Sequence, residues 1–129
     1  MADTEKITVN LNVVDLGKVD MLVDEGFYTN RADFMRTAIR NEIALHRHHI
    51  DNITRNYLVG VVNVTADMLA DHYRKGKMMD IKGVGFLNIN PGVTVDMAEK
   101  TIASIKVWGK LVMPPDVRER LQELGRLVD

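Results

Sequence analysis

The chain has no cysteine among its 129 residues, which excludes disulfides, thiolate metal sites and cysteine nucleophiles and fits a reducing compartment without requiring one. A charge excess is also missing. Seventeen Lys plus Arg stand against eighteen Asp plus Glu, a formal charge of -1, so no polybasic tail is present. The longest apolar stretch, Tyr57 to Val62, is far short of the ~20 residues that a membrane helix needs. The start, Met1 to Lys6, has no basic region leading into an apolar run, so a cytoplasmic protein with no membrane partner is expected. What is present, 46% hydrophobic and 27% charged residues, describes a soluble globular chain with enough length for a core, as one domain or two small ones.

The charges are unevenly placed. Residues 1–25 carry Lys6 and Lys18 against Asp3, Glu5, Asp15, Asp20, Asp24 and Glu25, a net -4. Residues 26–50 carry Arg31, Arg36, Arg40 and Arg47 against Asp33 and Glu42, a net +2. A nucleic-acid partner would have to be held through that modest basic patch, because phosphate contacts normally supply much of the affinity.

Lys6 to Asn12 alternate strictly, with Ile7, Val9 and Leu11 on one face and Lys6, Thr8, Asn10 and Asn12 on the other, which predicts a half-buried strand. A helical pattern follows, with Leu16, Val19, Leu22 and Val23 on one face, and stops at Gly26, where glycine adopts a left-handed cap. Tyr28-Thr29-Asn30 then precedes a second periodic segment with Phe34, Met35, Ala38, Ile39 and Ile43. Thr29 or Asn30 is its expected N-cap, Asp33 its early-turn acid and Leu45 its approximate end.

One strand and two helices in about 45 residues make a poor monomer, since a lone strand has no pairing partner and so small a unit buries little surface. If two copies lay their strands antiparallel, Ile7, Val9 and Leu11 of both cover a four-helix core. The polar residues then project from the opposite side as a two-stranded ribbon of a size that fits the DNA major groove.

Lys6 to Leu45 resembles the ribbon-helix-helix family of DNA-binding proteins, the MetJ/Arc/CopG group. The resemblance lies in the alternating strand, the Gly26 turn and the run Tyr28-Thr29-Asn30-Arg31-Ala32-Asp33-Phe34-Met35-Arg36-Thr37-Ala38-Ile39-Arg40. It implies a homodimer on double-stranded DNA in which Thr8, Asn10 and Asn12 read base edges and Lys6, Thr29, Asn30 and Arg31 hold phosphates. Asn pairs bidentately with adenine, Thr donates or accepts and meets the thymine methyl, and helix N-terminal amides favour an anion. The ribbon departs from the commoner family pattern in having no Arg or Lys at its three central positions, which argues against guanine-directed reading.

His46, His48 and His49 cluster just beyond the second helix. They are weak metal candidates: nickel-sensing members of the family use spaced histidines plus a cysteine, and this chain has none. The alternative is a solvated helix end whose His and Arg residues complement the negative pole of the dipole.

Self-comparison of residues 57–129 superposes three segments spaced 24 or 25 residues apart: Val59 to Val64, Val84 to Ile89 and Trp108 to Met113, aligned on Gly60, Gly85 and Gly109. A polar or proline break after each opens a helical segment, at 66–74, 95–103 and 117–127. Units of this size stack into solenoids of the leucine-rich-repeat kind. In such a stack the glycines form a column, with Val62, Leu87 and Leu111 inside. The competing topology is a ferredoxin-like βαββαβ fold that splits Met78–Lys82 from Val84–Ile89 and would serve as an effector sensor.

The expected fold class is therefore α+β: an intertwined dimeric ribbon-helix-helix over residues 1–48, a linker over 49–56, and a C-terminal βα-repeat domain over 57–129 for assembly or protein contact. Asp67, Asp71, Asp80 and Asp96 read as caps and solvated positions, and Trp108 as a core residue more readily than a contact anchor. No cofactor is implied and no catalysis is expected. The sequence reads as a regulator of transcription, a repressor in the first instance, with an antitoxin or an effector-gated repressor as alternatives and higher oligomers on DNA as an extension.

Overall fold

The structure, a computed structural model, describes residues 4–128. The chain divides into two compact units, Lys6–Ile53 and a second that holds Thr4, Glu5 and the described residues from Thr54 onward.

In the first unit residues 6–12 form neither helix nor strand within a single chain. Helix α1 spans Val13–Asp24 and α2 spans Arg31–Leu45. Gly26, at φ 86°, ends α1 in a Schellman turn: the Phe27 amide donates to the Leu22 carbonyl and the Gly26 amide to that of Val23. Val19 of α1 is buried, Leu16, Leu22, Phe34 and Met35 are half-buried, and α2 has no fully buried residue. A third helix, α3, runs from Arg47 to Ile53. The linker expected at 49–56 is therefore helical over much of its length, and the histidines lie at its start.

The second unit is built on three parallel strands in the order β1-β2-β3, namely Leu58–Val64, Met79–Ile89 and Ile102–Val112. Helix α4 (Ala66–Arg74) connects the first two strands, α5 (Val95–Thr101) connects the next two, and α6 (Pro115–Glu123) follows the last. Thr65 and Thr94 start α4 and α5 alike, each hydroxyl accepting from the amide three residues on. Leu69, Ala98, Val117 and Leu121 from the helices pack against Val64, Ile81, Leu87, Ile89, Ile102 and Ile105 from the strands. The helices thus cover one face of the sheet.

The register aligns Val59 with Val84 and Trp108, Gly60 with Gly85 and Gly109, and Val62 with Leu87 and Leu111. Two side-chain bonds across the strands repeat that spacing, Asn88 Nδ2 to Asn63 Oδ1 at 2.7 Å and Ser104 Oγ to Asp80 Oδ1 at 2.7 Å. The three glycines have φ of 115°, 120° and 122°, a region that side-chain-bearing residues rarely adopt. At Gly85 a Cβ would run into the carbonyl oxygen of Gly60, and at Gly109 into that of Gly85.

This topology overturns the ferredoxin-like alternative, which requires antiparallel neighbours. Met78–Lys82 and Val84–Ile89 are not two strands, because β2 is continuous through Gly83. Three helix limits also differ from expectation. Ile102 and Ala103 belong to β3, where Ile102 is buried, and the last helix begins at Pro115, whose fixed φ suits a first turn. That helix yields after Glu123 to an extended Arg126–Val128 that pairs beside Ile105.

Trp108 is 47% exposed on the face opposite the helices, stacked on Tyr57 with ring centroids 5.7 Å apart. The core placement expected for it is incorrect. Alternation from the buried Ile105 points Trp108 outward, and the Lys106 ammonium lies over its ring at 5.3 Å.

Candidate nucleic-acid interface

The segment with the expected base-reading residues is exposed throughout. Ile7, Val9 and Leu11 are 72%, 65% and 41% exposed, and Lys6, Thr8, Asn10 and Asn12 are exposed beside them. Asn12 differs from its two companions. It is the N-cap of α1, its side-chain oxygen accepting the amides of Val14 at 2.8 Å and Asp15 at 3.4 Å. That amide oxygen is committed to the helix, whereas Thr8 and Asn10 stand free of the cap. Alternation alone gave no sign of this, because Asn suits both a strand face and an N-cap.

The start of α2 is held by two reciprocal bonds. Asn30 Oδ1 accepts the Asp33 amide at 2.8 Å, and Asp33 Oδ2 accepts the Thr29 amide at 2.9 Å. The arrangement is a capping box displaced by one residue, and it fixes where the chain enters the helix. Tyr28 packs edge-on to Phe34, centroids 5.0 Å apart, and anchors the turn from the other side.

Arg31 lies in a bidentate pair with Asp20 of α1, Nε to Oδ1 at 2.8 Å and Nη2 to Oδ2 at 2.9 Å. The hydrogen bonds from Arg31 hold the Asp20 carboxyl below the usual carboxylate range, and Asp20 in turn raises the guanidinium. Sequence reasoning assigned Arg31 to phosphate and missed its partner eleven residues earlier. The structure places Arg31 as a strut between the two helices with part of its donor fork already engaged.

His46 approaches Glu42 at 3.7 Å. Among the described residues no three His, Asp or Glu side chains are grouped to hold a metal ion, so the three histidines are not brought together with further ligands. No helix of the described residues is long and apolar enough to cross a membrane.

The first unit thus presents two largely exposed helices, joined by a glycine-capped turn and preceded by an exposed segment of alternating apolar and polar residues. Residues 2–118 match the Ribbon-Helix-Helix transcriptional regulator family, and the chain belongs to it. Members are DNA-binding regulators of transcription. The match continues past the ribbon-helix-helix through all three strands of the sheet and into α6, so the C-terminal unit is part of the family architecture and not an unrelated appendage. No curated protein and no solved structure matches the chain.

Proposed function

We propose that two copies of the chain pair residues 6–12 as an antiparallel ribbon that enters the DNA major groove and represses transcription from the sites it occupies. The observation that carries this reading is the exposure of Ile7, Val9 and Leu11 at alternate positions, ahead of two helices that between them bury only Val19. Pairing two ribbons over four helices removes this apolar surface from water at roughly 25 cal/mol per Å². Thr8 and Asn10 then face the base edges, Asn10 with the geometry to pair bidentately with adenine. Asn12 keeps its place as the cap of α1. Phosphates are met by Lys6 and by the first turn of α2 at Thr29, Asn30 and Arg31, where helix amides remain for an anion beside the Asn30 cap.

The C-terminal unit has a core of its own, which favours a regulator over an antitoxin whose tail folds only on its toxin. Asn10→Ala is the test, with DNA binding measured across a salt series. Loss of sequence preference with the salt slope retained is expected, because this residue reads bases and does not neutralise phosphate. Unchanged selectivity would remove Asn10 from the reading face.

A further inference from the structure

Gly85 and Gly109 have an evident reason to be glycine: each faces the backbone of the preceding strand so closely that a Cβ would strike a carbonyl oxygen. Gly60 has the same conformation, φ 115° against 120° and 122°. Yet a Cβ built on it meets nothing within 4 Å. Gly60 has the backbone of an interior strand at the outer edge of the sheet.

The opposite edge is complementary. The Ile105 amide donates to the Arg126 carbonyl and its own carbonyl accepts from the Val128 amide, so Ile105 directs both groups away from β2. Backbone direction repeats every second residue along a strand, so Val107, Gly109 and Leu111 direct theirs the same way. Arg126–Val128 covers the start of this edge, pairing at Ile105, and at its far end Arg118 Nη2 donates to the Leu111 carbonyl at 3.0 Å, so the stretch from Val107 to Gly109 is the part that neither covers. Beyond Ile105 lies a groove of about 330 Å³ lined by Val107, Gly109 and Leu111 together with Arg118 and Gln122 of α6 and Leu127. The outward Gly109 carbonyl is the counterpart of the Gly60 and Gly85 carbonyls that face the next glycine in the column.

We infer that the C-terminal sheets of successive copies stack head to tail, β1 of one chain lying parallel against the free edge of β3 in another, with Gly60 against Gly109. The register of the sheet then continues unbroken across the junction. Leu58 falls opposite Val107 and Val62 opposite Leu111, so that these half-buried side chains enter the groove beside α6. Val61 falls opposite Lys110. Trans peptides turn the Val61 amide away from β2, because the Gly60 carbonyl faces β2. That amide is therefore a donor to the neighbouring chain and not to its own. Such a contact uses two different surfaces, so each junction leaves one sheet edge unpaired at either end for a further copy. It stands independently of the DNA reading, and if the ribbons pair as well, the two contacts together link dimers into arrays in which each weak junction gains from the other.

Full-length protein in sedimentation velocity over a range of concentrations tests the stacking. Species that grow beyond a dimer with concentration are expected, and Val61→Pro, which removes an outward amide that no intrachain bond uses, is expected to return them to dimer. A second variant guards against misfolding by Val61→Pro. In one chain residues 61 and 110 are separated by β2, about two interstrand spacings or ~9.6 Å, too far for a disulfide. Val61→Cys combined with Lys110→Cys, in a chain with no other cysteine, is therefore expected to give a ladder of dimers, trimers and longer species on oxidation, absent from either single variant. Protein that never exceeds a dimer, or a double variant that cross-links no more than the singles, would overturn the stacking and leave the ribbon dimer standing. Protein that stays monomeric at every concentration would overturn both.

Discussion

The two units of this chain solve the problem of burial in opposite ways. Of the fourteen fully buried apolar residues among those described, one, Val19, lies in Lys6–Ile53 and the rest lie in the C-terminal unit. The first unit instead exposes Ile7, Val9, Val13, Val14, Met21, Phe27, Ile39, Ile43 and Leu45. Amphipathic periodicity alone therefore does not say that an element has found its partner. The same apolar spacing marks a face that is buried within the chain in α4 and α6 and a face that the chain leaves largely exposed in α1 and α2.

The largest effect that would sharpen this contrast is in the sheet. Gly109→Ala places a methyl group on the Gly85 carbonyl and holds alanine at φ 122°. Urea denaturation should show the C-terminal unit destabilised by about 4 kcal/mol or more, among the severe single-residue effects, with Lys6–Ile53 little changed. A loss below about 1 kcal/mol would mean that the strands shift apart readily.

Dilution should separate the units next. If the first unit is stable only as a pair, its unfolding free energy falls by about 1.4 kcal/mol for each tenfold dilution. Transitions followed at Tyr28, the tyrosine of the first unit, and at Trp108 of the second should then drift apart as the protein is diluted. A Tyr28 transition indifferent to concentration would break the contrast.

Smaller effects test how far the first unit is organised before it pairs. Asn30→Ala removes the oxygen that accepts the Asp33 amide and should cost about 1 kcal/mol of stability in that unit alone. The Asp20–Arg31 pair should contribute least, since both groups are solvated, but it has a distinctive pH dependence. A carboxyl held below its ordinary value contributes stability above about pH 4, and that contribution is lost as the pH falls through its lowered folded value. The difference in urea midpoint between the wild type and Asp20→Asn should therefore be steady at neutral pH and vanish in acid. A difference that persists undiminished at acid pH would show that the pair acts by packing and not by charge.

Much of the sheet was legible because its constraint recurs: glycines at spacings of 25 and 24 residues mark the positions where strands meet backbone to backbone, and the alignment made on Gly60, Gly85 and Gly109 coincides with the register of the sheet. The C-terminal limits of the helices were less legible. Leu124 and Val128 continue the apolar spacing from Leu121 by three and four, yet Gly125, at φ 69°, breaks the helix, and it is Leu127 that packs, from an extended segment. Trp108 was misplaced because residue type suggested a core, whereas its position in the alternation from Ile105 decides the face. In the candidate interface the cap of α2 was readable to within one residue, Thr29 or Asn30, and the structure selects Asn30. The roles of Asn12 and Arg31 were not readable, since each depends on one specific partner, the first turn of α1 and the Asp20 carboxylate, and alternation and composition carry no information about either.

The glycine column also restricts how such a sheet changes over evolutionary time. A side chain acquired at Gly85 or Gly109 collides with its neighbour's main chain, so drift one substitution at a time is blocked at both of these positions. Lengthening or shortening this half of the molecule is easier by gain or loss of an entire strand-and-helix module, glycine included. Heredity would thus be expected to count this domain in whole units, while the helices of the other half vary freely on their outer faces.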